Sequence, residues 1–224
     1  MKTFLVTAAL CCVLLAGCSG NEPQQVLPPQ VPADCQARRE LDVDLHDCDL
    51  SNEYLVQVDL SGANLSGAEL VNADLTRANL TGADLTGANL DLAKLDGAYL
   101  IDADLSGAKV GAAGMSFANL KGATVTKLIG ATLSGAYLAE TALRGVDLRG
   151  VTMTDVNLAR SDLTGADLGG INLSNSKLNG ANLSNVRLDD ANLTGANITS
   201  ANITGVTWSN TTCPNGVKQS TPCA

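Results

Sequence analysis

Aromatic residues and basic charge are both scarce in this sequence. Phenylalanine, tyrosine and tryptophan together make up 3% of the 224 residues. Such a composition excludes a globular core anchored by large rings and favours a core made of small, uniform layers. The formal net charge is -9, from 23 acidic and 14 basic residues. An acidic balance disfavours direct binding to nucleic acid, because contacts with phosphate require lysine and arginine.

The sequence also has no group of residues arranged for catalysis or for holding a cofactor. His46 is the only histidine, and no nucleophile motif, phosphate-binding glycine loop or metal-ligand spacing is present. Glycines such as Gly62 and Gly67 stand at the last position of a short repeat, where the chain turns, and not in a phosphate-binding loop. We therefore expect a protein that is not an enzyme and binds neither a cofactor nor a metal.

The longest apolar run lies at the N-terminus. It extends from Phe4 to Leu15, which suits the core of a signal peptide and is too short to span a bilayer. The residues that follow, Leu15-Ala16-Gly17-Cys18, resemble the lipobox of bacterial lipoproteins, in which cleavage occurs before a diacylglycerol-modified cysteine. The resemblance implies a lipoprotein signal peptide over 1–17 and a lipid attached to Cys18. The alternative is an ordinary secretory signal followed by an incidental cysteine.

A lipid on Cys18 would anchor the mature chain to the bacterial cell envelope. Ser19 follows the lipidated position, where an aspartate signals inner-membrane retention in Gram-negative lipoproteins. The resemblance therefore implies the outer membrane, and leaves the periplasmic or surface side open. The stretch that follows contains four prolines, so we interpret residues 18–33 as the lipidated cysteine and an extended tether. Residues 34–42 are expected to form an N-terminal cap.

A five-residue repeat dominates the rest of the chain. An apolar residue recurs every five positions from Leu45 to Val125, in 17 units of which 14 have leucine. It recurs again from Leu133 to Ile203, in 15 units of which 12 have leucine. A period of five fits neither a helix nor a flat strand, so the chain must turn to return each leucine to an interior. We place two repeat arrays at 43–125 and 131–205.

Individual units resemble the A(D/N)LXX consensus of the pentapeptide-repeat family. Examples are Ala63-Asn64-Leu65-Ser66-Gly67 and Ala73-Asp74-Leu75-Thr76-Arg77, and the resemblance covers residues 43–205. It implies an all-β fold, a right-handed quadrilateral β-helix in which four units form one coil. The leucine and the preceding small residue then face inward. The two arrays together make about eight coils, stacked at roughly the 4.8 Å spacing of paired strands.

The repeat is interrupted once, between Val125 and Leu133. These two central positions are eight residues apart, so the segment 126–130 shifts the phase of the repeat. We interpret the segment as a surface loop or bulge that leaves the β-helix continuous. The alternative is a kink or hinge between two subdomains.

Four cysteines remain once the signal peptide and the lipidated position are set aside, and they form one pair near each end of the rod. An exported chain retains disulfides. We predict the pairs Cys35–Cys48 and Cys213–Cys223, because a rod keeps its two ends too far apart for other pairings. Cys48 occupies an inward position where a free buried thiol also fits, so its state stays open.

Residues 206–224 are interpreted as a C-terminal cap. The passage from Trp208 to Gly216 resembles the tail of exported members of the family. The resemblance implies that the Trp208 ring replaces a leucine and closes the last coil. The alternative is an exposed tryptophan that stacks on carbohydrate.

Acidic residues are concentrated in the first half of the rod. From Asp34 to Asp104 there are 15 acidic and 4 basic residues, whereas residues 105–224 contain seven acidic and nine basic residues. Coil stacking places some of these acids in rows. The candidate interaction face consists of Asp44, Asp84 and Asp104 on one side and Asp49 and Glu69 on the next. Stacked like charges repel, so the rows indicate either a tolerant solvated surface or a face that binds a cation or a partner.

These observations favour a non-enzymatic, lipid-anchored structural or protein-interaction module of the cell envelope. We expect its partner to be an envelope protein or a cell-wall polymer and not nucleic acid, with the oligomeric state left open. A second hypothesis comes from the family resemblance, because its best-known members copy the shape and charge of duplex DNA and bind DNA gyrase. The chain would then be an acidic DNA-mimic inhibitor of a DNA-binding enzyme. A third hypothesis is a module that binds cell-wall polysaccharide.

Overall fold

The computed structural model describes residues 44–146, 148 and 150–223. Within these residues the chain is a right-handed quadrilateral β-helix. In the regular coils, parallel bridges join an outward residue to the one 20 positions later, as in Asp44 to Asn64 and Asn64 to Asp84. One coil therefore consists of four five-residue units, which confirms the predicted fold class. We name the four sides first to fourth after the outward residues of the first coil, Asp44, Asp49, Tyr54 and Asp59.

Extended strands are very short in this architecture. Strand β1, Asp104–Leu105, pairs in parallel with strand β2, Thr124–Val125. Strand β3, Thr211–Thr212, pairs in antiparallel fashion with strand β4, Lys218–Gln219. Most other sides contribute one bridged residue each. In the described part of the chain, no helix is long and apolar enough to cross a membrane.

The core consists of the leucine and the small residue of each unit. The central leucines from Leu65 to Leu105 and the small residues from Ala63 to Ala103 are at most 1% exposed. Each buried leucine contributes on the order of 1.5 to 3 kcal/mol through the area it removes from water. Polar residues at inward positions are hydrogen-bonded, as where Thr141 Oγ1 donates to the Leu120 carbonyl at 3.0 Å. The interior therefore consists of inward side chains stacked coil upon coil, in which the polar groups are hydrogen-bonded.

The polar residue before each leucine belongs to the turn that follows. Its side-chain oxygen accepts the backbone N–H two residues later, as where Asp84 Oδ1 accepts from Thr86 N at 2.9 Å. The last residue of the unit has a left-handed backbone, with φ of 68° at Gly62 and 62° at Asn52. Glycine and asparagine adopt this conformation at the lowest cost. Three requirements thus explain the A(D/N)LXX pattern: alanine and leucine pack inward, aspartate or asparagine caps the turn, and the last residue adopts a left-handed backbone.

The interruption at 126–130 is a shortened coil. Leu128 is 0% exposed and takes an inward central position only three residues after Val125. The corner after Val125 therefore lacks its two turn residues, whereas Ile129 and Gly130 form an ordinary turn. Bridges across this coil join residues 18 apart, for example Gly114 to Thr132. The β-helix is continuous here, but the segment is neither an inserted loop nor a gap between two subdomains.

The Thr126 side chain provides a hydrogen-bond acceptor for the backbone at the shortened corner. Its Oγ1 accepts the Gly107 N–H at 3.0 Å. One coil earlier, the equivalent bond runs from Gly87 N to the Ser106 carbonyl at 2.9 Å. A side-chain hydroxyl thus replaces the carbonyl of a missing turn residue.

The C-terminal end of the rod contains a buried tryptophan and a disulfide. Coil geometry continues past residue 205, because Thr207 and Thr212 form parallel bridges with the preceding coil. Trp208 fills a central inward position and is 5% exposed, so the alternative of an exposed carbohydrate-stacking ring is wrong. A disulfide joins Cys213 to Cys223, with Cα atoms 5.5 Å apart.

Several sequence-based expectations concern the N-terminal part of the chain. Cys48 is disulfide-bonded and 1% exposed, so it is not a free thiol. Its expected partner Cys35 lies outside the described residues. The signal peptide at 1–17, the lipid attachment at Cys18, the tether to residue 33 and the cap at 34–42 also lie outside them.

Candidate functional site

The acidic rows occupy the first and second sides of the β-helix. Bridges connect Asp44, Asn64, Asp84 and Asp104 in succession on the first side. Asn64 separates the first two carboxylates, and its Nδ2 donates to Asp44 Oδ1 at 3.1 Å. On this side, therefore, only Asp84 and Asp104 are acidic residues in successive coils. On the second side, Asp49 and Glu69 are direct neighbours.

The carboxylates of the candidate interaction face are also structural caps. Asp104 Oδ1 accepts Ser106 N at 2.8 Å, and Asp49 Oδ1 accepts Ser51 N at 3.0 Å. The hydroxyl and the N–H of Ser51 lower the pKa of Asp49, because both hydrogen bonds favour the ionised carboxylate. These acids thus have a local structural role in addition to the charge they present.

The described residues hold no group of three or more histidine, cysteine, aspartate or glutamate side chains placed to bind a metal ion. The acidic rows differ in this respect from a metal centre, which gathers its ligands around one point. Their arrangement is a charged surface distributed over successive coils.

The charge of the first coils is much less balanced than that of the later coils. Residues 44–104 contain 12 acidic residues and only Arg77 and Lys94 as bases, a net charge of -10. Several later acids are paired with bases of a neighbouring coil, as in Arg187–Asp167 at 2.7 Å and Lys121–Glu140 at 3.1 Å. The first half of the rod therefore produces a negative field that attracts a basic surface.

A cluster of exposed aromatic side chains lies beside the shortened coil and was not predicted from the sequence. Tyr99 is 51% exposed, Phe117 is 74% exposed and Tyr137 is 39% exposed. Bridges from Tyr99 to Asn119 and from Asn119 to Tyr137 place both tyrosines on the fourth side, in alternate coils. Phe117 stands at the adjoining corner of the coil between them. We call these three residues the aromatic surface.

Phe117 is held in an unusual backbone conformation. Its φ is 59°, in the left-handed region that bulky side chains rarely adopt. The ring packs over Gly135, where an added Cβ would lie 2.5 Å from Phe117 Cε1. The same left-handed conformation occurs at the last residue of other units, for example at Arg77 and Leu92, so the distinguishing feature of Phe117 is its exposed ring.

The sequence did not show that Tyr99 and Tyr137 lie on the same side, because the repeat is interrupted between them. Tyr99 and Tyr137 are 38 positions apart, the sum of one regular coil and one shortened coil. A fixed coil of twenty residues would have placed Tyr137 on a different part of the surface. The detectable signal was the presence of tyrosine at an outward position that is usually aspartate or asparagine.

The family comparison agrees with this architecture. The pentapeptide-repeat family model, described as "Pentapeptide repeats", matches eight copies over residues 42–77, 73–110, 131–170 and 166–205. The chain belongs to the pentapeptide-repeat family. Proteins of this family are generally structural or interaction modules. No curated protein sequence matches the chain.

Solved structures of other pentapeptide-repeat proteins resemble the chain. HetL, involved in heterocyst differentiation regulation in the cyanobacterium Nostoc sp., is 26% identical, with a TM-score of 0.39, over 83% of this chain and 97% of that chain. QnrB1, a plasmid-mediated fluoroquinolone resistance protein, is 21% identical, with a TM-score of 0.33, over 73% of this chain and 80% of that chain. A thylakoid-lumen protein of Arabidopsis thaliana is 27% identical, with a TM-score of 0.16, over 62% of this chain and 66% of that chain.

The comparisons correct the partner expected from the sequence. We expected an envelope protein or a cell-wall polymer and excluded nucleic acid from the partner class. This expectation conflicts with the similar structures, which include the plasmid-mediated fluoroquinolone resistance protein QnrB1. The expected partner class, an envelope protein or a cell-wall polymer and no nucleic acid, is therefore wrong.

Proposed function

We propose that this protein is a non-enzymatic interaction module, which presents the acidic first coils and the aromatic surface to a basic region of a partner protein. The net charge of -10 over residues 44–104 carries the proposal. A negative field of this extent accelerates and orients association with a basic surface. Exposed tyrosine and phenylalanine rings then supply the apolar anchors that dominate binding energy at protein interfaces.

Lipid anchoring at Cys18 forms part of the proposal. The lipobox-like sequence Leu15-Ala16-Gly17-Cys18 and the proline-containing stretch after it support a tether on the bacterial cell envelope, at the outer membrane. Such a tether would hold the rod near the membrane by several acyl chains.

Metabolic labelling tests the anchor. Radiolabelled palmitate should enter the wild-type protein and fail to enter the Cys18→Ala variant, which should also leave the membrane fraction. Cys12→Ala is the matched control, because it removes a cysteine from the same region and should be labelled normally. Equal labelling of wild type and Cys18→Ala would exclude a lipid at this position.

Site-specific photocrosslinking tests the interaction surface in living cells. A photoreactive amino acid at Tyr99 or Phe117 should give a discrete crosslinked product with one protein. The control position is Val217, which is 51% exposed but lies in the C-terminal tail, outside the acidic coils and the aromatic surface. Identical products from Val217 and Tyr99, or none from Tyr99 and Phe117, would contradict the assignment of the aromatic surface.

A second candidate function is inhibition of a DNA-binding enzyme by mimicry of duplex DNA. The unbalanced acidic charge of the first coils favours it, because a DNA-binding groove is basic. Purified protein should then inhibit DNA supercoiling by gyrase, and the inhibition should weaken steeply as salt concentration rises. Absence of inhibition at low salt would exclude this candidate for gyrase.

A further inference from the structure

The aromatic surface follows one row of outward residues along the β-helix. Tyr99, Asn119 and Tyr137 are joined by successive bridges on the fourth side. Phe117 ends the unit before Asn119 in the same coil, and its ring extends over Gly135 in the next coil. Asn119 therefore has one tyrosine in the coil before it, one in the coil after it, and the phenylalanine beside it.

The side-chain amide of Asn119 differs from that of Asn79, two coils earlier in the same row. Asn79 Nδ2 donates to Asp59 Oδ1 in the preceding coil at 2.9 Å. Asn119 instead follows Tyr99, which has no carboxylate or amide oxygen to accept such a bond. Asn119 Oδ1 accepts Lys121 N at 3.1 Å, as in an ordinary turn cap, but its Nδ2 has no acceptor in the described part of the chain. A donor is therefore available to a ligand in the middle of the aromatic surface.

The spacing of the two tyrosines matches the repeat of a polyproline II helix. Tyr99 and Tyr137 are two coils apart, which corresponds to about 9.6 Å at roughly 4.8 Å for each layer of paired strands. A polyproline II helix has three residues a turn and rises about 3.1 Å a residue, so residues three apart lie about 9.3 Å apart on one face. Two prolines separated by two residues can therefore each pack on one tyrosine ring.

A polyproline II segment also suits the amide of Asn119. Such a segment has no internal hydrogen bonds, so its carbonyl groups are available to donors on a binding surface. Surfaces lined by aromatic side chains bind these segments with little loss of conformational entropy, because the helix is already formed before binding. Asn119 Nδ2 lies where it can donate to a carbonyl group between the two prolines.

Charge determines the direction in which the segment lies. Residues 44–104, which include Tyr99, have a net charge of -10. Beyond Tyr137 the same row contains Lys177. Basic residues of a ligand are therefore attracted past Tyr99 toward the acidic first coils and not past Tyr137.

We propose that the aromatic surface binds a proline-rich segment of the partner protein in the polyproline II conformation, with the pattern proline–x–x–proline followed by basic residues. The first proline packs on Tyr137 and the second on Tyr99, a carbonyl group between them accepts from Asn119 Nδ2, and the basic residues lie over the acidic first coils. The inference rests on the proposed function, because it names the segment by which the basic partner is recognised.

Two synthetic peptides of equal composition test the spacing. Pro-Ala-Ala-Pro-Ala-Ala-Arg-Arg has its prolines three residues apart, whereas Pro-Pro-Ala-Ala-Ala-Ala-Arg-Arg has them adjacent. In fluorescence anisotropy with the full-length protein at low salt, the first peptide should bind at least tenfold more tightly. Equal affinity, or no binding of either peptide, would overturn the inference. Either result would leave the proposed function to stand or fall by the photocrosslinking in cells.

Four variants locate the binding site. Tyr99→Ala and Tyr137→Ala each remove one ring and should weaken binding of the first peptide at least tenfold. Asn119→Asp keeps the oxygen that caps the turn but removes the donor, so it should weaken binding several-fold. Asn197→Asp is the matched control, because Asn197 caps a turn on the same side three coils beyond Tyr137, and it should bind as wild type does. Wild-type affinity in Tyr99→Ala, or equal affinity of the two aspartate variants, would overturn the inference.

The chain's own proline-containing stretch is the competing occupant. Pro29 and Pro32 have the required spacing and lie before the described residues. Pro32→Ala breaks this spacing and should leave the affinity for the first peptide unchanged, because the surface is then free for a partner protein in wild type as well. At least tenfold tighter binding by Pro32→Ala would show that this stretch, from the same or a second copy, fills the surface, and would overturn the assignment to a partner protein.

Discussion

At the scale of single residues, the carboxylates that cap turns couple the stability of the rod to pH. Hydrogen bonds from Thr76 lower the pKa of Asp74, and those from Thr164 lower the pKa of Asp162. A folded-state pKa below the ordinary value of 3.8 means that the unfolded chain binds protons more readily. The stabilisation is therefore complete above that ordinary pKa and is lost as pH falls through the depressed values.

The first prediction concerns the cap at Asp74, which accepts Thr76 N at 3.1 Å and Thr76 Oγ1 at 2.6 Å. Asp74→Ala should lower the free energy of unfolding by about 1 kcal/mol, because it removes the acceptor of both bonds. Asp74→Asn should lose much less, since asparagine caps the same turn elsewhere in the rod. Urea unfolding at neutral pH measures both variants, and equal losses would show that charge, not capping, is responsible.

The second prediction concerns Glu53, an acid at an inward position where most units have alanine. It is 8% exposed, and burial followed by the nearby Asp49 charge raises its pKa. Glu53→Gln should therefore stabilise the protein at neutral pH, by on the order of 1 kcal/mol or less. The gain should disappear as pH falls below the ordinary value of 4.5, where the glutamate is protonated in both folded and unfolded chains. Thermal unfolding at pH 7 and pH 4 tests this, and a gain that persists at the lower pH would contradict it.

At the scale of the coil, the shortened segment depends on one hydroxyl group. The third prediction is that Thr126→Val lowers the free energy of unfolding by roughly 0.5 to 1.5 kcal/mol, because Gly107 N loses the acceptor at 3.0 Å. Thr126→Ser keeps the hydroxyl and should stay close to wild type. Thr124→Val is the control, since Thr124 is an exposed outward residue of the same coil. Faster amide exchange at Gly107 in Thr126→Val alone would link the loss to this bond.

The aromatic surface is also organised at the scale of the coil. Phe117 and Gly135 occupy the same corner in successive coils, so the ring can pack over Gly135 only while that position has no side chain. The shortened coil places Tyr137 on the fourth side, directly after Asn119. Other coils have Asp59, Asn79, Asn157, Lys177 and Asn197 at the outward position of this side.

At the scale of the whole molecule, stability is expected to be a sum over neighbouring coils. The fourth prediction compares truncations at different depths of the rod. Leu90→Ala removes a fully buried side chain covered by a coil above and below and should cost about 2 to 5 kcal/mol. Ile203→Ala should cost markedly less, because Ile203 lies in the last coil and is only half-buried. Equal losses in urea unfolding would mean that the end is covered in solution.

Much of the fold could be read from the sequence alone. Each feature of the repeat reflects a local requirement that recurs in every unit. The leucine fills the core, the alanine fits the small space at the corner, and the aspartate or asparagine caps the following turn. Trp208 and the cysteine pair at the C-terminus also follow the local pattern. Such features are predictable because each depends on a few consecutive residues and on the coil directly above or below.

The candidate sites depend on register, which only the tertiary structure decided. The sequence by itself determined the repeat, the acidic first half and the presence of a phase shift near residue 126. It did not determine that the shift removes two turn residues, because Leu128 occupies a position that either a loop or a coil could use. That one corner sets which residues stack beyond it, and so places Tyr137 on the same side as Tyr99. The position of the C-terminal tail likewise depends on long-range packing, since Cys213 and Cys223 join there after the repeat has ended.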